Sequence, residues 1–250
     1  MRGRIRILGG SAILLILWWG IAHSRLVNPL LLPSPEDVLA HLFGLLSSGG
    51  LLEDLLATLR RMFFGFLGAA LLGIPLGITL GYYAWLYQWV EFPVDFFRSI
   101  PAMALLPLFM LLFGMGDLAK ISMVIFAGSL ILLISTLHGV RNCSRARNLA
   151  ARAMKATPGQ ILYKILLPES LPQIAAGLRV CLSISLILVI ASEMLVGTNL
   201  GLGRRLMEAE LTYETADMYA CIVLAGILGY VLNRAFVYFS ARIVHWEGRA

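Results

Sequence analysis

The sequence predicts an all-α integral membrane protein with six transmembrane helices, and three observations carry that prediction. Hydrophobic residues make up 59% of the 250 residues and charged residues 14%, with a mean hydropathy of +0.84, whereas about a quarter of a soluble domain is charged. Apolar runs of about 20 residues, long enough to cross a hydrocarbon core as helix, recur along the chain. Between two of them, residues 141–170 form a basic, proline-interrupted stretch holding six Lys and Arg, the composition of a cytoplasmic loop.

The elements follow in order. The first span covers residues 7–22 behind Arg2, Arg4 and Arg6; bulky Trp18 and Trp19 and the missing small-residue cleavage site make it a retained anchor rather than a signal peptide. Ser34 before Pro35 starts a helix over 36–46 whose apolar residues fall on one face, an interfacial helix on the outer side. The second span, 58–82, carries Gly73, Gly77 and Gly81 four apart, hence on one face and open to close approach by another helix, with Pro75 as a kink. The third, 92–113, is interrupted by Arg98, Pro101 and Pro107, which a membrane tolerates only where broken backbone faces protein or a water-filled path. Spans over 121–140, 171–196 and 219–239 complete the six. No repeat or soluble domain interrupts them, and the chain divides into 1–57, anchor and interfacial helix, and 58–250, the membrane core with its loop.

Charge sets the orientation. Eleven Lys and Arg fall in segments on the side of the basic loop and both termini, six (Arg25, Arg60, Arg61, Lys120, Arg204, Arg205) on the other, and three within spans, so the termini are expected in the cytoplasm. The net charge of +6 is accounted for by membrane orientation, and no basic soluble module or aromatic platform points to nucleic acid. Cys143, Cys181 and Cys221 lack paired spacing, and the four histidines lack metal-ligand spacing. There is no phosphate-binding loop and no nucleophile or zinc motif, so any work done by this chain draws its energy from elsewhere.

In the basic loop, Leu149, Ala153, Met154 and Ala156 stand among Arg152 and Lys155, an apolar patch with a basic rim fit for a groove on a cytoplasmic partner; the alternative is a solvated loop that only sets topology. The segment also resembles the cytoplasmic motif E-A-A-x3-G-x9-I-x-L-P of permeases from the ATP-binding-cassette (ABC) importer superfamily. Leu149-Ala150-Ala151, Lys155, Ile165 and Leu167-Pro168 fall in that frame, with Leu149 in place of the acidic residue and Lys155 in place of the glycine that permits the turn. Pro158-Gly159 offers a break nearby. The segments 32–38, 73–77, 98–101, 171–179, 191–194, Gly201-Leu202-Gly203 and the ending Trp246-Glu247-Gly248 are similar to the branch that imports nitrate, sulfonates, taurine and bicarbonate.

That resemblance implies a type I importer permease with the MetI-like fold, in a bacterial inner membrane, working as a homodimer with two ATPase subunits and a periplasmic or lipid-anchored binding protein. It implies no cofactor on this chain, ATP and magnesium residing on the partner subunits, and a coupling role for Ala150, Ala151, Met154, Lys155, Gly159, Ile165, Leu167 and Pro168. Within the membrane, Arg98, Pro101 and Glu193 are candidates for the translocation path, since an ionisable residue in a span marks function by default. Glu193 stands close to four turns after Arg179 on a similar face; its other reading is a group held by hydrogen bonds from a neighbouring helix. Arg98 either draws an anion along the path or snorkels to the interface. Import of an aromatic or pyrimidine compound, a secondary carrier, and a membrane enzyme or scaffold remain the alternatives.

Overall fold

Helix α3 (Gly50–Tyr82) and helix α6 (Asp117–Arg141) form the centre of the fold because three glycines leave no side chain between them. A Cβ at Gly73 would lie 2.6 Å from the Ser129 carbonyl oxygen, one at Gly77 2.6 Å from that of Leu133, and one at Gly81 2.8 Å from Val140 Cβ. The close approach expected from the four-residue spacing is therefore present. Because residue numbers rise together along the contact, α3 and α6 run parallel. The described residues of this computed structural model are 2–24, 26–28, 30–47 and 49–244, with side chains for all except 2–9, 11, 145 and 243; the ending 246–248 lies outside them.

Two parallel helices in one chain need a return crossing between them, and a broken one supplies it. Helix α4 (Ala84–Ser99) starts beside the end of α6, where the Arg141 guanidinium lies over the Tyr87 ring. It climbs until Phe97 meets Phe126. There the chain bends by 91° into a 3₁₀ turn (Ala102–Leu105) and helix α5 (Leu106–Phe113). Pro101 causes the break: it holds Ile100 in extended backbone (φ −78, ψ 126), which a residue before proline prefers. Pro107 sits in the first turn of α5, where a missing N–H costs nothing. The third crossing thus starts at Ala84 rather than 92, and only one of its two prolines interrupts it.

Helix α9 (Leu167–Leu195) runs antiparallel to α6, with Gly139 against Ser170, Gly177 against Ser135 and Gly128 against Cys181. Between them lie α7 (Arg145–Ala153), α8 (Pro158–Ile161) and a π turn (Leu162–Leu166) that joins α8 to α9 without a stop. Helix α10 (Leu202–Leu211) follows, then α11 (Thr215–Ile243), antiparallel to α9 through an Arg179–Asn233 hydrogen bond of 2.8 Å.

Helix α2 (Pro35–Ser47) begins where Ser34 accepts from the Asp37 N–H, 3.2 Å, and packs on the start of α11 through Val38, Leu42 and Ala220. Helix α1 (Arg2–His23) ends at that same place, its Trp18 stacked on Tyr219.

Among the described residues, four helical stretches are long and apolar enough to cross a membrane, or five if the bent pair α4–α5 counts as one span. The described apolar part of α1, Ala12–His23, is by itself shorter than a span. Helix α3 begins at Gly50, so the division expected between residues 57 and 58 falls inside it. The crossings leave two ends, one carrying α7 and α8 and the other carrying α10.

Candidate functional site

At the first end, Ser144 caps α7 by accepting from the Arg147 N–H, and Thr157 and Gln160 form a reciprocal capping box on α8 with Pro158 in its first turn. The two helices meet at Lys155, whose φ of 59° is left-handed. The position where the family motif carries glycine thus adopts the backbone that glycine favours, and Lys155 adopts it with a side chain. Gly159 is an ordinary helical residue with open space around it; the break is at Lys155, not at Pro158-Gly159.

Ala151, Ile161 and Leu166 form a small core with Tyr82, Cys143, Ala156, Leu162 and Ile165. Ala151 and Ile165 therefore hold the loop together rather than face outward, with Leu167 and Pro168 half-buried behind them. Leu149 (67% exposed), Ala150 and Met154 (83% exposed) face outward beside exposed Arg152 and Lys155. Glu169 ties the loop to α9, accepting from the Ser144 N–H at 2.9 Å and pairing with Arg147. Burial first, then the adjacent Glu169 charge, pushes the Cys143 thiol up to about 12.

Arg98 and Glu193 do not come together. Arg98 is exposed, pairs with Asp95 at 3.1 Å, and lines a cavity of about 200 Å³ with Phe97, Ile100, Ala102 and Phe126 at the break that Pro101 makes. Glu193 is 1% exposed and lies further along α9, past the Ile184 and Leu188 that line the Arg98 cavity. Arg179, expected on a similar face, bonds to Asn233 instead.

Glu193 is the centre of a buried ionic network. Its carboxylate accepts from Arg61 Nη1 at 2.6 Å, from the Thr58 hydroxyl at 2.9 Å and from the Gly203 N–H at 3.0 Å. Arg61 also donates to Asp117 (2.7 Å) and to the Leu200 carbonyl (2.7 Å), and Arg60 pairs with the same Asp117. Asp54 accepts from the Gly201 N–H and from Arg205 Nε, each at 2.7 Å, while Thr58 accepts from the Leu202 N–H at 2.9 Å. Two carboxylates and a hydroxyl thus cap the N-terminus of α10, the charge placement its dipole favours. Gly201-Leu202-Gly203 permits it: Gly201 has φ 147, and a Cβ on Gly203 would lie 2.1 Å from the Ile190 carbonyl oxygen. Every carboxylate here has a cationic partner, which a membrane interior demands.

Of this network, only Glu193 was legible as a candidate. The signal for the rest lay in Arg60-Arg61 and Arg204-Arg205, basic pairs on the side that charge bias leaves poor in them, and in Asp54, Thr58 and Arg61 at helical spacing on one face of α3. Among the described residues no cluster of His, Cys, Asp and Glu could hold a metal ion.

Residues 73–245 match the family described as binding-protein-dependent transport system inner membrane component. An ABC transporter permease protein of Methanocaldococcus jannaschii is 33% identical over 94% of this chain and 89% of its own length. The taurine transport system permease protein TauC of Escherichia coli is 30% identical over 96% and 89%. Inward-facing structures of the MetNI methionine ABC transporter include a chain that superposes with a TM-score of 0.68 at 27% identity, covering 78% of this chain and 94% of that one. The chain accordingly belongs to the binding-protein-dependent transport system inner-membrane components, as a non-catalytic, multi-pass permease subunit of an ABC importer in the nitrate, sulfonate and taurine group.

Proposed function

We propose that two copies of this chain form the translocation path for a small anion, a sulfonate, nitrate or taurine-like solute, handed over by an external binding protein at the α10 end and driven by two ATPase subunits at the α7 end. The observation that carries this reading is the outward-facing patch of Leu149, Ala150 and Met154, rimmed by Arg152 and Lys155, on a loop with its own small core. A loop that only sets topology has no need of a core, of paired caps or of exposed large apolar side chains. Amphipathic helices with apolar anchors are what hydrophobic grooves take up.

The α7 end is then cytoplasmic. Helix α1 ends beside the start of α11, at the other end, so as a sixth crossing it brings both termini into the cytoplasm. Residues 1–57 support the core 58–250 by packing α2 on α11. This chain holds no cofactor; ATP and magnesium belong to the ATPase subunits, and no nucleic acid takes part. Pro101 opens the cavity in which Arg98 stands, on the path, whereas Glu193 serves the path by holding α10 to α3.

Met154→Asp tests the reading. A carboxylate buried unpaired in a partner groove costs about 3 kcal/mol or more. The variant is expected to reach the membrane and to lose both the ATPase subunit on purification and ATP-driven uptake. Co-purification at wild-type levels overturns the docking role, and ion-gradient-driven uptake by the isolated chain overturns the importer reading.

A further inference from the structure

Lys120 is 1% exposed, yet among the described residues no carboxylate lies within ion-pair distance of it. Its ammonium makes no hydrogen bond and no ion pair among the described residues. It lines a cavity of about 270 Å³ between the start of α6 and the segment joining α9 to α10, with Arg61, Asp117, Thr198 and Asn199. The two carboxylates whose charges reach it are already engaged: Asp117 by Arg60 and Arg61, Glu193 by Arg61, Thr58 and the Gly203 N–H. An ammonium out of water keeps its charge only with an anion beside it.

A second feature of the same cavity points the same way. Helix α6 starts there at Asp117, and Gly116 before it supplies no side-chain cap, so the first N–H groups of a 25-residue helix lie at the cavity, the arrangement that receives anions. The volume falls just below the ~300–1,000 Å³ of ordinary small-molecule sites, which favours a small single-headed anion over a larger solute.

We infer that this cavity, between Lys120, the start of α6 and the 197–200 segment, binds a small oxyanion such as nitrate or a sulfonate headgroup and is where the cargo anion first rests on the permease. This rests on the proposed reading that the cargo is such an anion. The chemistry that binds cargo would equally hold an ambient inorganic anion, and the experiment separates the two.

Nitrate, methanesulfonate and chloride are titrated by calorimetry into the permease–ATPase complex in lipid nanodiscs, without binding protein and at constant ionic strength. Saturable binding of nitrate or methanesulfonate, one per permease copy, is expected for wild type and Lys120→Arg, with at least a tenfold loss of affinity in Lys120→Met. Asn199→Asp, an exposed change that places a negative charge at the cavity, is expected to weaken binding similarly and keeps the test alive if Lys120→Met fails to assemble. Unchanged affinity in Lys120→Met, or in Asn199→Asp where Lys120→Met is not recovered, overturns the site. So does a wild-type complex that binds neither oxyanion. Chloride binding as tight as either oxyanion, together with unaltered uptake by Lys120→Met or Asn199→Asp, overturns the cargo assignment. Uptake of candidate solutes by the complete system is scored separately: import of a solute that carries no oxyanion group, with none for nitrate or sulfonates, refutes the anion reading of function, whereas the site itself is decided by the binding of nitrate and methanesulfonate.

Discussion

Lys155 carries a measurable conformational cost. A non-glycine residue in left-handed backbone loses about 1–2 kcal/mol, and its φ of 59° at the junction of α7 and α8 places that cost in the loop taken to meet the ATPase. Lys155→Gly is expected to raise the thermal stability of the loop by about 1 kcal/mol, read as slower proteolysis between α7 and α8, while uptake is kept. Lys155→Val, β-branched, is expected to do the reverse. At the other end, Glu193→Gln leaves Arg61 with a neutral partner in place of a buried carboxylate. Removing one member of such a pair costs about 3–5 kcal/mol, so the purified complex should melt at a lower temperature. Near wild-type melting would mean that Asp117 alone suffices for Arg61. Cys143 gives a third prediction, from the thiol held up to about 12 by burial. Because the group is neutral below that value, the reactive thiolate is scarce at neutral pH; maleimide labelling should be slow in the resting complex and should speed up only when the loop opens. Fast labelling at pH 7.5 would contradict the packing around Cys143.

Helix contacts were readable in part from residue spacing. Gly73, Gly77 and Gly81 announced a close approach, and it occurs, but spacing within one helix says nothing about which helix arrives or in which direction. The partner, parallel α6, follows from long-range packing. Pro101 and Pro107 looked equivalent in the sequence, yet only Pro101 breaks the helix, since the cost of a proline depends on whether its residue lies in a first turn. Asp54, Arg61, Asp117 and Glu193 are far apart in sequence, and a charge in a span reads as isolated until the helices that pair it are adjacent. Gly77→Val should be among the most damaging single changes in the centre, because the first added carbon would already lie 2.6 Å from the Leu133 carbonyl oxygen and backbone cannot move aside as a side chain can. Overpacking of this kind costs about 1–3 kcal/mol or more, and poor recovery of the folded complex is expected. Gly226→Ala, where nothing lies within 4 Å, is the control expected to fold normally.

Over the whole molecule, the two ends differ in how they are held. The α10 end is fastened by buried charges between α3, α6, α9 and α10, while the α7 end is held by a small apolar core and the Glu169–Arg147 pair. The helix from Pro158 to Leu195, 38 residues without a stop, joins them, and at about 1.5 Å per residue it is long enough to carry a displacement of α8 as far as Glu193. The π turn at Leu162–Leu166 lies in that helix between the loop and the membrane. A π turn holds one residue more than the α-helical path needs, and each residue of an α-helix accounts for about 100° of rotation. That extra residue therefore sets the azimuth of everything before it: without it, the outward patch around Met154 would swing by roughly a quarter turn or more about the axis of α9, while Glu193 and the helices around it kept their heading.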